Sequence, residues 1–548
     1  MPTRTGPLLI ALLSVATAVP GGAALAATPA AAQIPTDAEL EAHGAVIGTV
    51  TVDNQNIFNL ADPKENTRLF RLADRLHIRT RARVIRDHLL FRPGDRYRQR
   101  LLAESERLLR AEGYFYDAWI RPVRWHDNKV DIEVTTRDVW TLDPGFNFGR
   151  SGGSNATGVQ LQDSNILGLG MDVQLSHTTT VDRSSSQLEV ADNHAFGTWT
   201  GVNANYADLS DGRLRELTVQ QPFYALDTRW AAGVYGLNDL QSDSLWDRSN
   251  VIDRFEDLHH GAQVYGALST GLEDGWVRRW NAGVTYDAHE FAPDPMVPGG
   301  ASLLPVNRSY AYPWVQFDLI QDDFLKLHNH DEIGRAEDFY IGTAASMRVG
   351  ATAGALSSTG PTILFQSTAS RGFSLGGSLL LLYSDFSGRV SGGQLHNGLA
   401  DAVVRYFAVH GSHWLFYASG AVTKGWRLDL DDQILLGGDN GMRGYPLRYQ
   451  DGTGRAQFTV EQRYFTDWYP LQLVRVGGAI FADVGRTFGQ APLGEPSLGV
   501  LKDAGFGLRL GNARSGLGNV IHVDLAFPFS ADHSIRRVQF LVQTEQHF

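Results

Sequence analysis

Arg443 stands in the run Gly437-Gly438-Asp439-Asn440-Gly441-Met442-Arg443-Gly444-Tyr445, a single guanidinium among residues small enough to let the backbone pack closely. A loop-borne arginine of this kind can fork onto a carboxylate. Two candidates follow in the chain. Glu461 shares a strand face with Gln457 and Arg463, and Asp483 lies in Val474-Arg475-Val476-Gly477-Gly478-Ala479-Ile480-Phe481-Ala482-Asp483-Val484. In that second segment Val474, Val476, Ile480, Ala482 and Val484 alternate with Arg475, Phe481 and Asp483, so the charges fall on one face. Other candidate chemistry is weaker. Gly372-Phe373-Ser374-Leu375-Gly376 fits G-x-S-x-G, but a nucleophile elbow needs a helix after the turn, and Leu379 to Leu382 continue a strand. His328-Asn329-His330-Asp331-Glu332 would put both imidazoles on one face if extended, yet its composition reads as a polar loop. His259 and His260 are adjacent and would point to opposite faces of a strand. Gly168-Leu169-Gly170 lacks the helix of a dinucleotide site. No catalytic residue, metal site or cofactor is expected, and the chain does not read as an enzyme.

The elements that must position Arg443 are strands. From Trp140 to Phe548 the chain runs in segments of about ten alternating residues separated by turns, the signature of a transmembrane barrel. Ile521, Val523, Leu525 and Phe527 oppose His522 and Asp524, and the stretch from Phe506 to Leu510 isolates Arg509 on one face. A water-soluble sandwich would show the same alternation. Aromatics near segment ends, such as Tyr464, Phe465, Trp468 and Tyr469, favour the membrane. So does the final strand, where Val538, Phe540, Val542, Thr544, Gln546 and Phe548 alternate to an aromatic last residue, the form of a barrel insertion signal. Spread at about 25 residues per strand and connection, the segment predicts about 16 strands.

Before the barrel comes a small mixed unit. Ile47 to Val52 alternates as a strand. Thr80 can cap a helix carrying Val84, Ile85, His88 and Leu89, and Pro93-Gly94-Asp95 breaks the chain. A second helix bears the stripe Leu101, Leu102, Ser105, Leu108 and Leu109 and stops at Gly113. Strands Ala118 to Arg124 and Val130 to Thr136 follow, joined at Asp127-Asn128. Thirteen arginines lie between Arg68 and Arg110, so this unit is basic within a protein of net charge -12. That face suits anionic headgroups or an acidic client, or is simply solvated, and an exposed sheet edge could add an extended chain.

Composition sets the outer limits. The 548 residues are 43% apolar, with 58 glycines, 12 tryptophans, 18 tyrosines and no cysteine, which excludes disulfides and thiolate metal sites and favours strands and turns. The acidic balance argues against nucleic acid. Arg4, the apolar run Leu8 to Leu13 and the small residues ending in Ala24-Leu25-Ala26 have the order of a secretory signal. Cleavage is expected after residue 26, with a second candidate after Ala32, and no apolar stretch beyond it is long enough for a membrane helix.

The glycine-rich Arg443 loop, the Glu461 strand and Phe481-Ala482-Asp483-Val484-Gly485 together resemble the BamA/TamA superfamily of POTRA-plus-barrel outer-membrane proteins, the bacterial surface antigen family. The resemblance implies that Arg443, Gly444 and Tyr445 match the loop motif [VI]-R-G-[FY], which folds back into the barrel, and that Phe481, Asp483 and Gly485 match an F-x-D-x-G strand whose aspartate pairs with the arginine. Met442 replaces the usual branched residue at a position that needs only an apolar packer. Asn165-Ile166-Leu167-Gly168-Leu169-Gly170 resembles the family's N-x-x-G-x-G segment, and residues 44–138 resemble one POTRA domain where well-known members carry two to five. The expected organisation is a signal peptide over 1–26, a linker over 27–43, the POTRA-like domain over 44–138 and the barrel over 139–548. By resemblance, the protein inserts or transports polypeptide clients at the outer membrane of a Gram-negative bacterium without nucleotide hydrolysis. Its partners would be outer-membrane lipids, an unfolded polypeptide received by the periplasmic domain, and periplasmic partner proteins. The alternatives are a lipid or lipopolysaccharide-related role and a passive pore.

Overall fold

The computed structural model describes residues 34–296, 302–489, 498–512, 514, 520–530 and 532–545. The signal segment and Phe548 lie outside the described residues. Helix α1 (Asp37–Ala42) leads into strand β1 (Val46–Gln55), helices α2 (Arg68–Leu76), α3 (Ala82–Asp87) and α4 (Gln99–Ala111), then strands β2 (Phe115–His126) and β3 (Lys129–Asp138). The three strands form one sheet in the order β1-β3-β2, with β1 parallel and β2 antiparallel to β3. Ile85, Leu102 and Leu109 from the helices meet Ile47, Ile120, Ile132 and Val134 from the sheet in one core. The sequence pattern placed α3, α4 and the three strands but not α1 or α2. Thr80 departs from its expected role: it does not cap α3, and instead its hydroxyl and amide both donate to the buried Asp138 carboxylate.

From Leu142 onward, twenty strands among the described residues close into one antiparallel barrel in which each pairs with its neighbours in the barrel's chain order. The expectation of about 16 strands is therefore corrected. The reason is local: six strands of 9 to 12 residues lie between Leu142 and Gln221, joined by turns of a few residues, so an average of 25 residues per strand overcounts the connections. No described helix is long and apolar enough to cross a membrane. The strands do what alternation dictates. Along Val474–Phe488, Ile480 and Val484 are exposed while Phe481 and Asp483 are buried; Phe506 and Leu508 face out where Arg509 is buried; Ile521 faces out beside buried His522 and Asp524. An apolar outer face with charge sealed inside is the surface a lipid-embedded barrel needs, since closure leaves no unpaired sheet edge.

The first barrel strand begins and the last described strand ends at the same rim, and the N-terminal unit packs there. The turn at residues 164–170 touches it closely: Asn165 Nδ2 donates to Thr80 Oγ1 at 2.7 Å and Arg81 N–H to Gly168 O at 3.0 Å. A Cβ on Gly168 would lie 2.5 Å from Arg79 O, and one on Gly170 would lie 2.9 Å from Val84 Cγ1, so this segment is glycine because two folded units meet on it. Glu104 on α4 accepts Leu226 N–H at 2.8 Å from the next rim turn but one.

Two elements fill the barrel from opposite ends. At the rim bearing the N-terminal unit, a hairpin of Phe324–His328 and Ala336–Tyr340 folds inward, its Ile333 and Phe339 packing on Leu379, Phe407, Leu415 and Phe465 of the wall. At the far rim, residues 427–453 fold back across the mouth, tied to it by Arg308 on Asp431 and Arg448 on Asp182, both two-pronged. Ile480 sits near the middle of its strand on the outer face. The variant Ile480→Arg is expected to lower the unfolding free energy of the barrel in lipid vesicles by about 2–4 kcal/mol, measured by denaturant titration of tryptophan fluorescence.

Candidate functional site

Inside the barrel the far-rim loop delivers Arg443 to the wall formed by Gly454–Phe465, Val474–Phe488, Leu501–Asn512 and Val520–Pro528. Nε and Nη2 of Arg443 each donate to Asp483 at 2.8 Å, a two-pronged pair, and Nη1 donates to Glu461 Oε1 at 2.6 Å. Nη1 also lies 3.5 Å from Asp524 Oδ2. The guanidinium rests 3.4 Å above the Phe481 ring, whose face stabilises a cation that has shed its water. Thr459 Oγ1 donates to Asp483 at 2.9 Å, satisfying a further lone pair of the carboxylate.

Local sequence explains how the loop reaches this depth. Met442 and Tyr445 are both almost fully buried, in a cluster with Leu436, Tyr449, Leu501 and Ile535. They anchor Arg443 on either side. Tyr445 Oη donates to Lys502 O at 3.0 Å and accepts Lys502 N–H at 3.1 Å, so its phenol is used twice. A Cβ on Gly444 would meet Asp503 Cβ at 2.6 Å, and one on Gly485 would meet Met442 Sδ at 2.7 Å. The glycines flanking the arginine in the loop and the aspartate in the strand thus allow two separate close approaches of loop and wall. Gly441, at φ +117°, makes the bend that precedes it. Asn440 closes the turn, accepting Gly437 N–H at 2.6 Å and donating to Leu435 O at 2.9 Å.

The structure therefore brings Gly441, Met442, Arg443, Gly444 and Tyr445 together with Phe481, Asp483, Gly485 and Glu461. Val542 and Phe540 of the last strand stand apart from this centre, with Phe540 exposed on the outer face and Val542 in register with Arg150 of the first barrel strand.

Sequence reasoning missed the second half of the network. Arg463 Nε donates to Glu461 Oε2 at 2.9 Å, and its Nη1 reaches His330 O at 3.2 Å on the inward hairpin. Arg509 bridges Asp524 and, at 3.4 Å, Glu461. Glu461 is thus held by three arginines, and the loop from one rim and the hairpin from the other meet through Glu461 and Arg463. The segment His328 to Glu332 is the tip of that hairpin. His330 is buried and His328 exposed, so the two do not converge on a metal; Asp331 pairs with Arg405, and Glu337 accepts the amides of His330 and Asp331, each at 3.0 Å. Ser374 lies in a strand that turns directly into the next, with Ser374 opposite Leu379, and no helix follows it.

No family model and no curated protein matches this chain. Among solved structures it is similar to BamA from Haemophilus ducreyi lacking POTRA domains 1–3, at 13% identity over 90% of this chain and 85% of that one, with a TM-score of 0.39. CdiB from Acinetobacter baumannii is similar at 10% identity over 92% and 73% of the two chains, TM-score 0.44. CdiB from Escherichia coli is similar at 11% identity over 91% and 76%, TM-score 0.47.

Removing Arg443 leaves two buried carboxylates without their main counter-charge. Arg443→Ala is expected to destabilise the folded barrel by about 3–5 kcal/mol. In a double-mutant cycle with Asp483→Ala, the double variant should be less destabilised than the sum of the singles by about 0.5–3 kcal/mol, both read from denaturant midpoints in detergent. Additive effects would count against the pair.

Proposed function

We propose that this chain is a short member of the BamA/TamA superfamily that inserts or translocates polypeptide clients at the outer membrane, with the N-terminal unit acting as a single periplasmic POTRA domain over residues 44–138. The observation that carries this reading is Arg443, held inside the barrel on Asp483 and Glu461 by a loop that folds back from the far rim. Such a loop braces the lumen wall from within. A passive pore is a poorer fit, because the loop and the inward hairpin occupy the lumen from both ends and meet at Glu461 and Arg463.

Two further features suit a polypeptide client. In the small sheet β2 is an outer strand, available for β-augmentation by an extended chain. At the barrel closure, among the described residues, the first and last strands register only at Arg150 with Val542, whereas the preceding pair registers at seven positions. A weakly zipped seam offers backbone groups that an incoming strand could satisfy where lipid cannot. Arg443 and its loop, on this reading, hold the wall beside the seam in place while the seam works. The mechanism uses no nucleotide and no cofactor.

The second reading is lipid transport, favoured by one observation. Leu69, Leu72 and Leu76 of α2 are exposed and flank an apolar groove of about 460 Å³ with Phe58, Trp140 and Leu473, next to the barrel's outer wall. Arg68, Arg71 and Arg75 on the same helix suit phosphate headgroups, as in an amphipathic helix lying at a membrane surface.

The two readings separate in cells. Wild-type protein and Arg443→Ala are compared at matched levels, with folding of the variant confirmed by heat-dependent gel mobility. Loss of one or a few barrel or secreted proteins from the outer-membrane proteome is the expected result. An unchanged proteome with altered outer-leaflet lipid composition would transfer the assignment to lipid transport.

A further inference from the structure

We propose that His88, Glu112 and His194 bind one divalent transition-metal ion of the zinc class at the joint between the N-terminal unit and the barrel. His88 caps the C-terminus of α3, Glu112 follows α4, and His194 is the last residue but one of the barrel strand Ser184–Ala195. One ligand atom from each lies within 4.8 Å of the others. These positions are far apart in sequence, so no spacing motif announces them.

Hydrogen-bond bookkeeping carries the argument. His88 is 1% exposed, and its Nδ1 lies 2.8 Å from Val84 O. A carbonyl can only accept, so Nδ1 bears the proton and Nε2 is the free position. That Nε2 stands 3.0 Å from Glu112 Oε1, with Tyr114 Oη at a long 3.4 Å. A bare imidazole nitrogen facing a carboxylate oxygen sets lone pair against lone pair, so a positive species belongs between them. A proton would serve that pair alone. It would leave Nε2 of His194 as it stands, buried without a hydrogen-bond partner, on a ring only 3.9 Å from the His88 ring. A divalent cation satisfies all three at once.

The donor set names the class of ion. Two imidazole nitrogens and one carboxylate suit zinc and its neighbours, whereas calcium and magnesium prefer oxygen alone. The Nδ1–H to Val84 O bond is the outer contact that fixes the tautomer of a metal-binding histidine. Access is available too. Glu112 lines a cavity of about 270 Å³ together with Asp143, Asp172 and Glu189, an acidic vestibule that concentrates cations. Trp199 packs 4.4 Å from the His194 ring and stacks on Tyr224 at 4.2 Å, holding the barrel ligand in place.

His259, Asp287 and His289 also lie within 4.8 Å of one another, but each imidazole there already has its own carboxylate: His259 on Asp287 at 2.8 Å, His289 on Asp257 at 2.9 Å. That cluster is the internal control. Because two ligands come from the small unit and one from the barrel, the ion would clamp the angle between them.

The test uses the full-length protein in detergent, stripped with chelator and titrated with Zn²⁺ alone by calorimetry, with bound metal counted by elemental analysis. One equivalent is expected. His88→Ala and His194→Ala should each weaken binding at least about tenfold, and His259→Ala should leave it unchanged. Co²⁺ substitution gives a second readout, a visible absorption band that disappears in His194→Ala. Should His88→Ala fail the gel-mobility check for a folded barrel, His194→Ala decides the matter, since its ring sits at the rim. The proposal is overturned by absence of stoichiometric binding, by binding undiminished in His194→Ala, or by binding lost in His259→Ala.

Discussion

Charges buried inside a barrel away from water must be neutralised by one another, and the arrangement around Glu461 is how this chain does so. Arg443, Arg463 and Arg509 interleave with Glu461, Asp483 and Asp524, all but buried against a wall of four strands. Desolvating each ion costs several kcal/mol, which only mutual pairing and added hydrogen bonds offset. Asp483 depends on Arg443 alone among the three arginines, whereas Glu461 is shared by all of them. Because Arg443 arrives on a loop, the electrostatics of the wall and the position of that loop are one constraint: the strands are not neutral until the loop has folded in.

The same dependence extends to the opposite rim. Arg463, turned from Glu461 toward His330 O, makes the inward hairpin part of the network. That hairpin in turn meets the N-terminal unit: Arg110 forks onto Asp338 at 2.7 and 2.9 Å, Arg335 donates to Phe115 O at 2.8 Å, and Tyr116 Oη donates to Gly334 O at 2.9 Å. A continuous set of polar contacts therefore runs from α4 through the hairpin and Glu461 to the loop of Arg443. It is a physical connection between the surface that would receive a client and the element that braces the lumen.

Much of this was legible in the sequence, and for a specific reason. A strand with lipid on one side and a charged lumen on the other must alternate, so Ile480 against Asp483 and Phe506 against Arg509 are readable from period alone. Arg443 was legible because its glycines are unusual, and the structure supplies the cause: Gly444 and Gly485 have neighbours where a Cβ would stand. Strand number was not legible, since turn length varies along the chain and leaves only an average to divide by. Nor was the inward hairpin. His328 to Glu332 reads as a solvated loop, and what buries it is Arg405 and Arg463, partners on remote strands that no local pattern reveals. Helix α2 was hidden by its own arginines, which read as charge rather than as the polar face of an amphipathic turn.

The two fillings of the barrel differ in what holds them. The far loop is fixed by two-pronged charge pairs at several points, Arg443 on Asp483, Arg448 on Asp182 and Arg308 on Asp431, together with buried Met442 and Tyr445. The hairpin is held in the lumen by the apolar contacts of Ile333 and Phe339, by Arg405 on Asp331 and by one backbone contact from Arg463, while its charge-paired stem faces the N-terminal unit. Freeing the loop breaks three two-pronged ion pairs; freeing the hairpin tip breaks one ion pair, Arg405 on Asp331, and otherwise exposes apolar surface and backbone. The loop that carries Arg443 is thus locked chiefly by charge, whereas the hairpin, through Arg110 on Asp338 and Tyr116 on Gly334 O, ties the lumen to the N-terminal unit.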